Sequence, residues 1–439
     1  MAYALLNVKI YDYQKYEDLG FIVIDEKIIA TGKMSDYKNL GYEEFNLAGK
    51  LVIPAFVSGH THLYSTFARG MSLKFNPTNF VEILEQLWWK VDHFLDRDLI
   101  YYSSLIGAMN QLSFGTTTLI DHHASGEIEG SLGLIKKAIV ERLGLRCVTA
   151  FETSDRFDVE AAIKENLSGF KLREKSLANS LFGMHALLSL SDESLKKISR
   201  NLNNNGIHIH VAESLMDEED SISKYGMRVV ERLEKYNLIN EKSILVHCTH
   251  INELEMDIIK KHNAVIAVNV TSNLNNAVGI SQIKKFLDKG IRVISGNDGL
   301  IPSQPIEYLN IYYLSHLKES SPIGFSLDDL KRIITNTYEY TNSLLGTKLG
   351  RIEKDAEADL LVLDFNNLTP VDENNIFSHL FYGVFPGLKP NWVIARGKIK
   401  YKDYQETEDY SIDRLEGLTQ AKRLWSRINE GGNDVRFKY

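Results

Sequence analysis

His60 and His62 form a His-x-His pair at the end of an aliphatic run, residues 51–62 (LVIPAFVSGHTH). If that run is a strand, residues two apart point to the same side, so both imidazoles can close on one ion. Neutral imidazole suits a borderline divalent metal such as Zn²⁺ or Fe²⁺. Similar runs end in further titratable groups: His210 with Glu213 three residues on, His247, and Asp298. Three His and one Asp with room for a water make a catalytic metal set, and Glu213 is then a spare acid. The second His-x-His, His208 and His210, reads as contributing one ligand, with His208 a buried histidine satisfied by a neighbouring strand. His122 and His123 are adjacent, so only one of them can face inward, and the sequence leaves open which.

Eight short β-branched or aliphatic runs carry these groups or polar residues at their ends. They are 51–62, 116–123 (TTTLIDHH), 145–153 (LRCVTAFET), 181–188 (LFGMHALL), 207–213 (IHIHVAE), 243–250 (SILVHCTH), 264–273 (AVIAVNVTSN) and 291–299 (IRVISGNDG). Amphipathic stretches separate them, such as 191–204, where Leu195, Ile198 and Leu202 recur at helical spacing. Strand and helix alternation in eight units predicts an α/β fold of the (β/α)₈ TIM-barrel type, with its chemistry at the strand ends. A doubly wound open sheet is the competitor, but no Gly-rich phosphate turn follows the first strand. The flanks differ. Short strands at 4–32 and 358–401 are each too small to bury an apolar face alone, which predicts that the two ends of the chain pair in one small β domain. The expected division is 1–53 plus 351–410 for that domain, 54–350 for the barrel, and 411–439 for a helical tail. Leu415, Leu418 and Leu424 would anchor the tail, and its end would be frayed.

The chain has 439 residues, 44% of them hydrophobic, enough for a sizeable core without disulfide staples. Lys and Arg total 50 against 58 Asp and Glu, with no basic block, which argues against a nucleic-acid polymer as partner. Cys147 and Cys248 lie in apolar runs and read as buried thiols of a reducing compartment. The first residues lack a signal-peptide pattern, and no apolar run approaches the ~20 residues of a membrane span. A soluble cytoplasmic protein is expected, and a homo-oligomer is the base-rate expectation.

The stretches LVIPAFVSGHTHLYSTFARGM, LWWKVDHFL, TTTLIDHHAS, IHIHVAES, TSNLNNAVG, GNDG and GRIEKDAEADLLVLD together resemble the amidohydrolase superfamily, in its aminohydrolase and chlorohydrolase branch and nearest its SsnA group. The resemblance spans essentially the whole chain. It implies the barrel with a small β-sandwich built from both termini. It implies one divalent metal, zinc or iron(II), held by His60, His62, His210 and Asp298. Glu213 is then the general acid/base, and His247 orients the attacking water and stabilises the oxygen of the intermediate. Asp298 takes the proton of the water. Two positions depart from the branch, Asn297 before the ligand Asp and Asn269 after the seventh strand. Other branches bridge two metals with a carboxylated Lys on the fourth strand, which here ends in His185, so a single-metal site is implied.

His185 matches a substrate-contacting position of the branch. The long connection 63–96 is the expected specificity loop, with Arg69, Glu82, Trp88 and Trp89 as candidate contacts. Asn273 and Asn276 either reach the substrate or cap a turn. The implied activity is hydrolytic deamination of a small purine-like or pyrimidine-like heterocycle. Ring opening of a cyclic amide or dechlorination is the alternative, followed by a non-catalytic accessory of redox enzymes in purine metabolism.

Overall fold

Eight parallel strands lie in sequence order around one axis: Phe56–Thr61, Thr116–His123, Arg146–Phe151, Phe182–Ala186, Ile207–Val211, Ile244–His247, Val265–Val268 and Arg292–Ser295. We refer to them as the first to eighth barrel strands of the computed structural model, which describes residues 2–431. Six of the eight junctions are parallel ladders, two of them with register shifts. The remaining two close through single bridges, Thr153 to Met184 and Thr61 to Asp298. The closing seam is narrow because two glycines line it. A Cβ at Gly59 would lie 2.7 Å from the Ser295 carbonyl oxygen, and one at Gly296 would lie 2.4 Å from Asn269 Oδ1. Without side chains there, the eighth strand comes close enough for Asn297 N–H to donate to His60 O (2.9 Å), which carries Asp298 beside the first-strand histidines.

The terminal strands form a separate sheet, as the small size of each flank predicts. Nine strands join it. Leu51–Pro54 pairs antiparallel with Leu360–Leu363, in the register Leu51 to Leu363 and Ile53 to Leu361. Alternation then sorts the side chains. Leu51, Ile53, Leu361 and Leu363 face the barrel and join its core, whereas Val52, Leu360, Val362 and Ile394 build the sheet's own core. Arg146, at the start of the third barrel strand, ties the two cores together through Asp359 (2.5 Å) and Glu357 (2.6 Å).

The tail is a helix, Ser411–Gly431, and residues 432–439, where the frayed end was expected, lie outside the described residues. Its anchors differ from those expected: Leu424 and Ile428 are buried, but Leu415 and Leu418 face solvent. The helix is held instead by polar contacts, Arg423 and Arg427 to Asp96 (2.7 and 2.6 Å) and Trp425 Nε1–H to Phe67 O (2.6 Å). No helix among the described residues is long and apolar enough to cross a membrane.

Candidate active site

The first, fifth, sixth and eighth strands end together, and their last residues meet. His62 Nε2 lies 3.1 Å from His210 Nε2 and 3.4 Å from Asp298 Oδ1, and His60 Nε2 lies 3.9 Å from the same carboxylate oxygen. The protonation of these rings follows from their other nitrogens. His62 Nδ1–H donates to His122 O (2.6 Å) and His210 Nδ1–H to His185 O (2.9 Å), so both Nε2 atoms carry lone pairs and face each other. His60 Nδ1 is bonded to His208 Nε2 (2.8 Å), which leaves the buried His60 Nε2 without a partner. Burial, with neighbouring histidines added, pushes the pKa of His60 and His210 well below the usual histidine range. Burial also lowers His62, against the pull of Asp298. The lone pairs of His62 Nε2 and His210 Nε2 converge with the Asp298 carboxyl and repel one another, and the unpartnered His60 Nε2 stands beside them. A divalent cation would relieve that repulsion: His60, His62 and His210, together with His122, bring one ligand atom each within 4.8 Å of one another, and His60, His247 and Asp298 do the same.

Two acid–base groups flank this cluster. His247 Nε2 stands 3.4 Å from Glu213 Oε2 and 3.7 Å from Asp298 Oδ2. Its ring is fixed by Asn273, whose amide nitrogen points to Thr249 Oγ1 (3.2 Å) and Ser281 Oγ (3.4 Å), turning its Oδ1 to His247 Nδ1 at 2.8 Å. His247 therefore carries its proton on Nδ1 and offers a lone pair at Nε2. That tautomer suits accepting a hydrogen from a water, and it supplies no donor to an intermediate's oxygen. Burial, and then the Asp298 charge, raise the Glu213 pKa well above the ordinary carboxyl value, so the group sits as a neutral acid. Asn276 Nδ2 holds it at 3.3 Å. Asn273 and Asn276 thus orient His247 and Glu213 from the short helix Val270–Asn275 and its C-terminal cap. Ala212, His247, Cys248 and Asp298, at or just past the strand ends, all have left-handed backbone, φ between 45° and 68°.

One cavity opens onto His62, His210, Glu213 and Asp298, with Phe80, Leu84, Trp88, Trp89 and Leu188 as an apolar wall. The connection 63–96 supplies most of that wall through a helical run, Phe80–Ile83, Leu84–Trp88 and Trp89–Phe94, whose middle turn is a π-turn. Such turns often mark functional sites. The spacing of Phe80, Leu84 and Trp88, four apart, is the signal for this wall, and of these Trp88 is a candidate contact named from the sequence. Glu82 does not line the cavity: it accepts from Thr78 N–H (2.7 Å), Thr78 Oγ1–H (2.9 Å) and Asn79 Nδ2 (3.1 Å), closing its own helix start. Trp88 does line it, as does His185, whose Nδ1–H donates to Ser189 Oγ (2.8 Å). Arg69 lies outside this cavity, in a wider vestibule that shares Phe80 and Trp88 with it.

The structure decides between the adjacent histidines. His122 turns in among the cluster, stacked on His208, and His123 packs against Tyr64 and Phe151 outside it. Reasoning from sequence missed Asp92, Glu152 and Arg156. Arg156 Nη1 contacts Asp92 Oδ2 (3.1 Å), Glu152 Oε1 lies 3.6 Å from His62 Nδ1, and both acids line the cavity floor. Glu152 at the end of the third strand was the available signal, since each other strand end in the set contributed a polar group.

Known proteins share this arrangement of chain. Residues 51–400 match the amidohydrolase family. A 5-methylthioadenosine/S-adenosylhomocysteine deaminase of Thermococcus sibiricus is 28% identical over 85% of this chain and 88% of its own. A 5'-deoxyadenosine deaminase of Methanobrevibacter smithii is 27% identical over 94% of both. Among solved structures, a zinc-bound adenosine deaminase from Xanthomonas campestris superposes with a TM-score of 0.84 at 17% identity, covering 96% of this chain and 98% of that one. A family match over most of the length, on a closed eight-stranded barrel with this histidine and aspartate cluster at its strand ends, means that the chain belongs to the amidohydrolase family.

Proposed function

We propose that the protein is a metal-dependent aminohydrolase that hydrolyses the exocyclic amine from a purine-like or pyrimidine-like heterocycle. The carrying observation is that the carboxyl groups of Glu213 and Asp298 both lie within 3.7 Å of His247 Nε2, beside the cavity that reaches His62 and His210. The names of the relatives, deaminases of adenosine-like compounds, support the same reaction class. His60, His62, His210 and Asp298 would hold a divalent ion, zinc or iron(II). Such an ion, when bound, supplies the Lewis acidity that makes water nucleophilic near neutral pH.

Asp298 accepts one proton of the attacking water, and His247 Nε2 accepts a hydrogen bond from the other. Glu213 gives its proton to the ring nitrogen beside the attacked carbon, so the electron pair displaced by the new C–O bond is neutralised as it arrives. Asp298 then passes its proton to the exocyclic amine. The C–N bond breaks, ammonia leaves, and Glu213 recovers a proton from the former water oxygen as the carbonyl forms. Phe80, Leu84 and Trp88 offer a flat apolar wall to a planar ring, with His185 as a polar contact beside it. The partner is a small molecule, and two free buried cysteines suit a cytoplasmic setting.

The test is ammonia release from aminated purines, nucleosides, pterins and pyrimidines by protein loaded with Zn²⁺ or Fe²⁺. Release is expected from the wild type, with a loss of about 10²–10⁴-fold in Glu213→Gln. Undiminished release from that variant overturns the role of Glu213. Silence across the panel, from protein of measured metal content, overturns the deaminase reading, and a product heavier by a whole water identifies ring opening instead.

A further inference from the structure

His122 and His208 form a layer of rings that the reaction above does not use. The His122 side chain is fully buried, and neither of its ring nitrogens has a hydrogen-bond partner among the described residues. Burying two unpaired polar atoms costs free energy, so something in the working protein must satisfy them. The neighbours indicate what. One nitrogen of His122 lies within 4.8 Å of a ring nitrogen of each of His60, His62 and His210. Its ring plane is set by stacking on His208, with centroids 4.3 Å apart and planes 19° apart. Glu152 Oε1 stands 3.5 Å from His122 Nδ1. No hydrogen bond joins them in this geometry, but an acid on the Nδ1 side leaves Nε2 to face the cluster, the orientation in which a ligating histidine is backed by a carboxyl group. The direction of approach also fits. His62, His210 and Asp298 line the cavity, whereas His60 and His122 do not, so His122 reaches the cluster from its closed side and leaves the cavity side open.

We propose that His122 is a further ligand of the metal ion, completing a set of four imidazoles and Asp298. The proposal rests on the metal-dependent reading above. It makes a side chain that has no hydrogen bond among the described residues decisive for holding the ion.

Metal-stripped protein titrated with Zn²⁺ against a chromophoric chelator tests it without turnover. His122→Asn and His122→Phe are each expected to weaken binding by at least ~10-fold, and His123→Asn, the buried neighbour outside the cluster, to leave it unchanged. Cobalt-loaded wild type provides a measurement that needs no variant. Its proton NMR spectrum is expected to show four strongly shifted, exchangeable ring N–H signals, one for each bound imidazole. Three such signals, or Zn²⁺ affinity unchanged in a folded His122 variant, overturn the proposal. These outcomes leave the deaminase reading standing, whereas wild type that binds no ion at all removes both.

Discussion

His62, His210 and His247 each hold a proton fixed at the far nitrogen. Backbone carbonyls of His122 and His185 hold Nδ1–H of His62 and His210, and Asn273 holds Nδ1–H of His247. The three rings look alike in the sequence but differ in where Nε2 points, two toward each other and one toward Glu213 and Asp298. Under the proposed function, this difference separates ligand from acid–base partner and predicts distinct failures. His210→Ala is expected to lose the metal, read by metal content after dialysis. His247→Gln is expected to keep full metal content and lose about 10²-fold or more in kcat. Removing the ion from the wild type lowers its melting temperature, because binding to the folded state alone contributes about 2.7 kcal/mol at a hundredfold excess over Kd. Calorimetry of stripped and reloaded protein measures that shift.

Short helices after the strands hold the acid–base groups, and their own ends are anchored by buried acids. Glu307 accepts from Thr271 N–H and Oγ1–H and from Val270 N–H, fixing the start of the helix that carries Asn273. Glu218 does similar work further out: its carboxylate meets Arg228 at 3.1 Å and accepts from Val229 N–H at 3.2 Å. Burial, and then the nearby Glu255, outweigh Arg228 and raise the Glu218 pKa from 4.5 to about 9. A carboxyl with a raised folded pKa binds more protons folded than unfolded. Its contribution to stability is therefore whole below about 4.5 and is lost as pH climbs toward about 9. Glu218→Gln, which keeps a hydrogen-bonding head but cannot ionise, is expected to flatten that decline. The measurement is the melting temperature at pH 5 and at pH 8, and an equal drop in variant and wild type would refute it.

At the scale of the molecule, one buried cation joins the barrel to the terminal sheet. Arg146 is 2% exposed and serves both Glu357 and Asp359. Replacing it alone leaves the buried Asp359 without a cation and Glu357 with only Lys27 (3.0 Å), and Arg146→Met is expected to cost about 3–5 kcal/mol in urea denaturation. Restoring charge balance by adding Glu357→Gln and Asp359→Asn should recover much of that loss. The helix Ser411–Gly431 makes a second tie, reaching the segment just after the first-strand histidines through Trp425 and Phe67.

Local pattern was enough for the barrel and for His60, His62, His210, Glu213, His247 and Asp298 as candidates, because strand alternation and strand-end position are written at short range. The pairing of both chain termini in one sheet was legible for a related reason: neither flank could bury its apolar face alone. Other features needed the folded chain. Glu82 has the right chemistry in the right loop, yet local hydrogen bonds to Thr78 and Asn79 claim it. Trp88 reaches the cavity because Phe80, Leu84 and Trp88 share one helical face over it. His122 and His123 carry the same side chain on the same strand, and only the closed barrel turns one toward the cluster and the other away. Which nitrogen of each ring holds the proton is set by carbonyls and amides from distant strands, which no spacing in the sequence records.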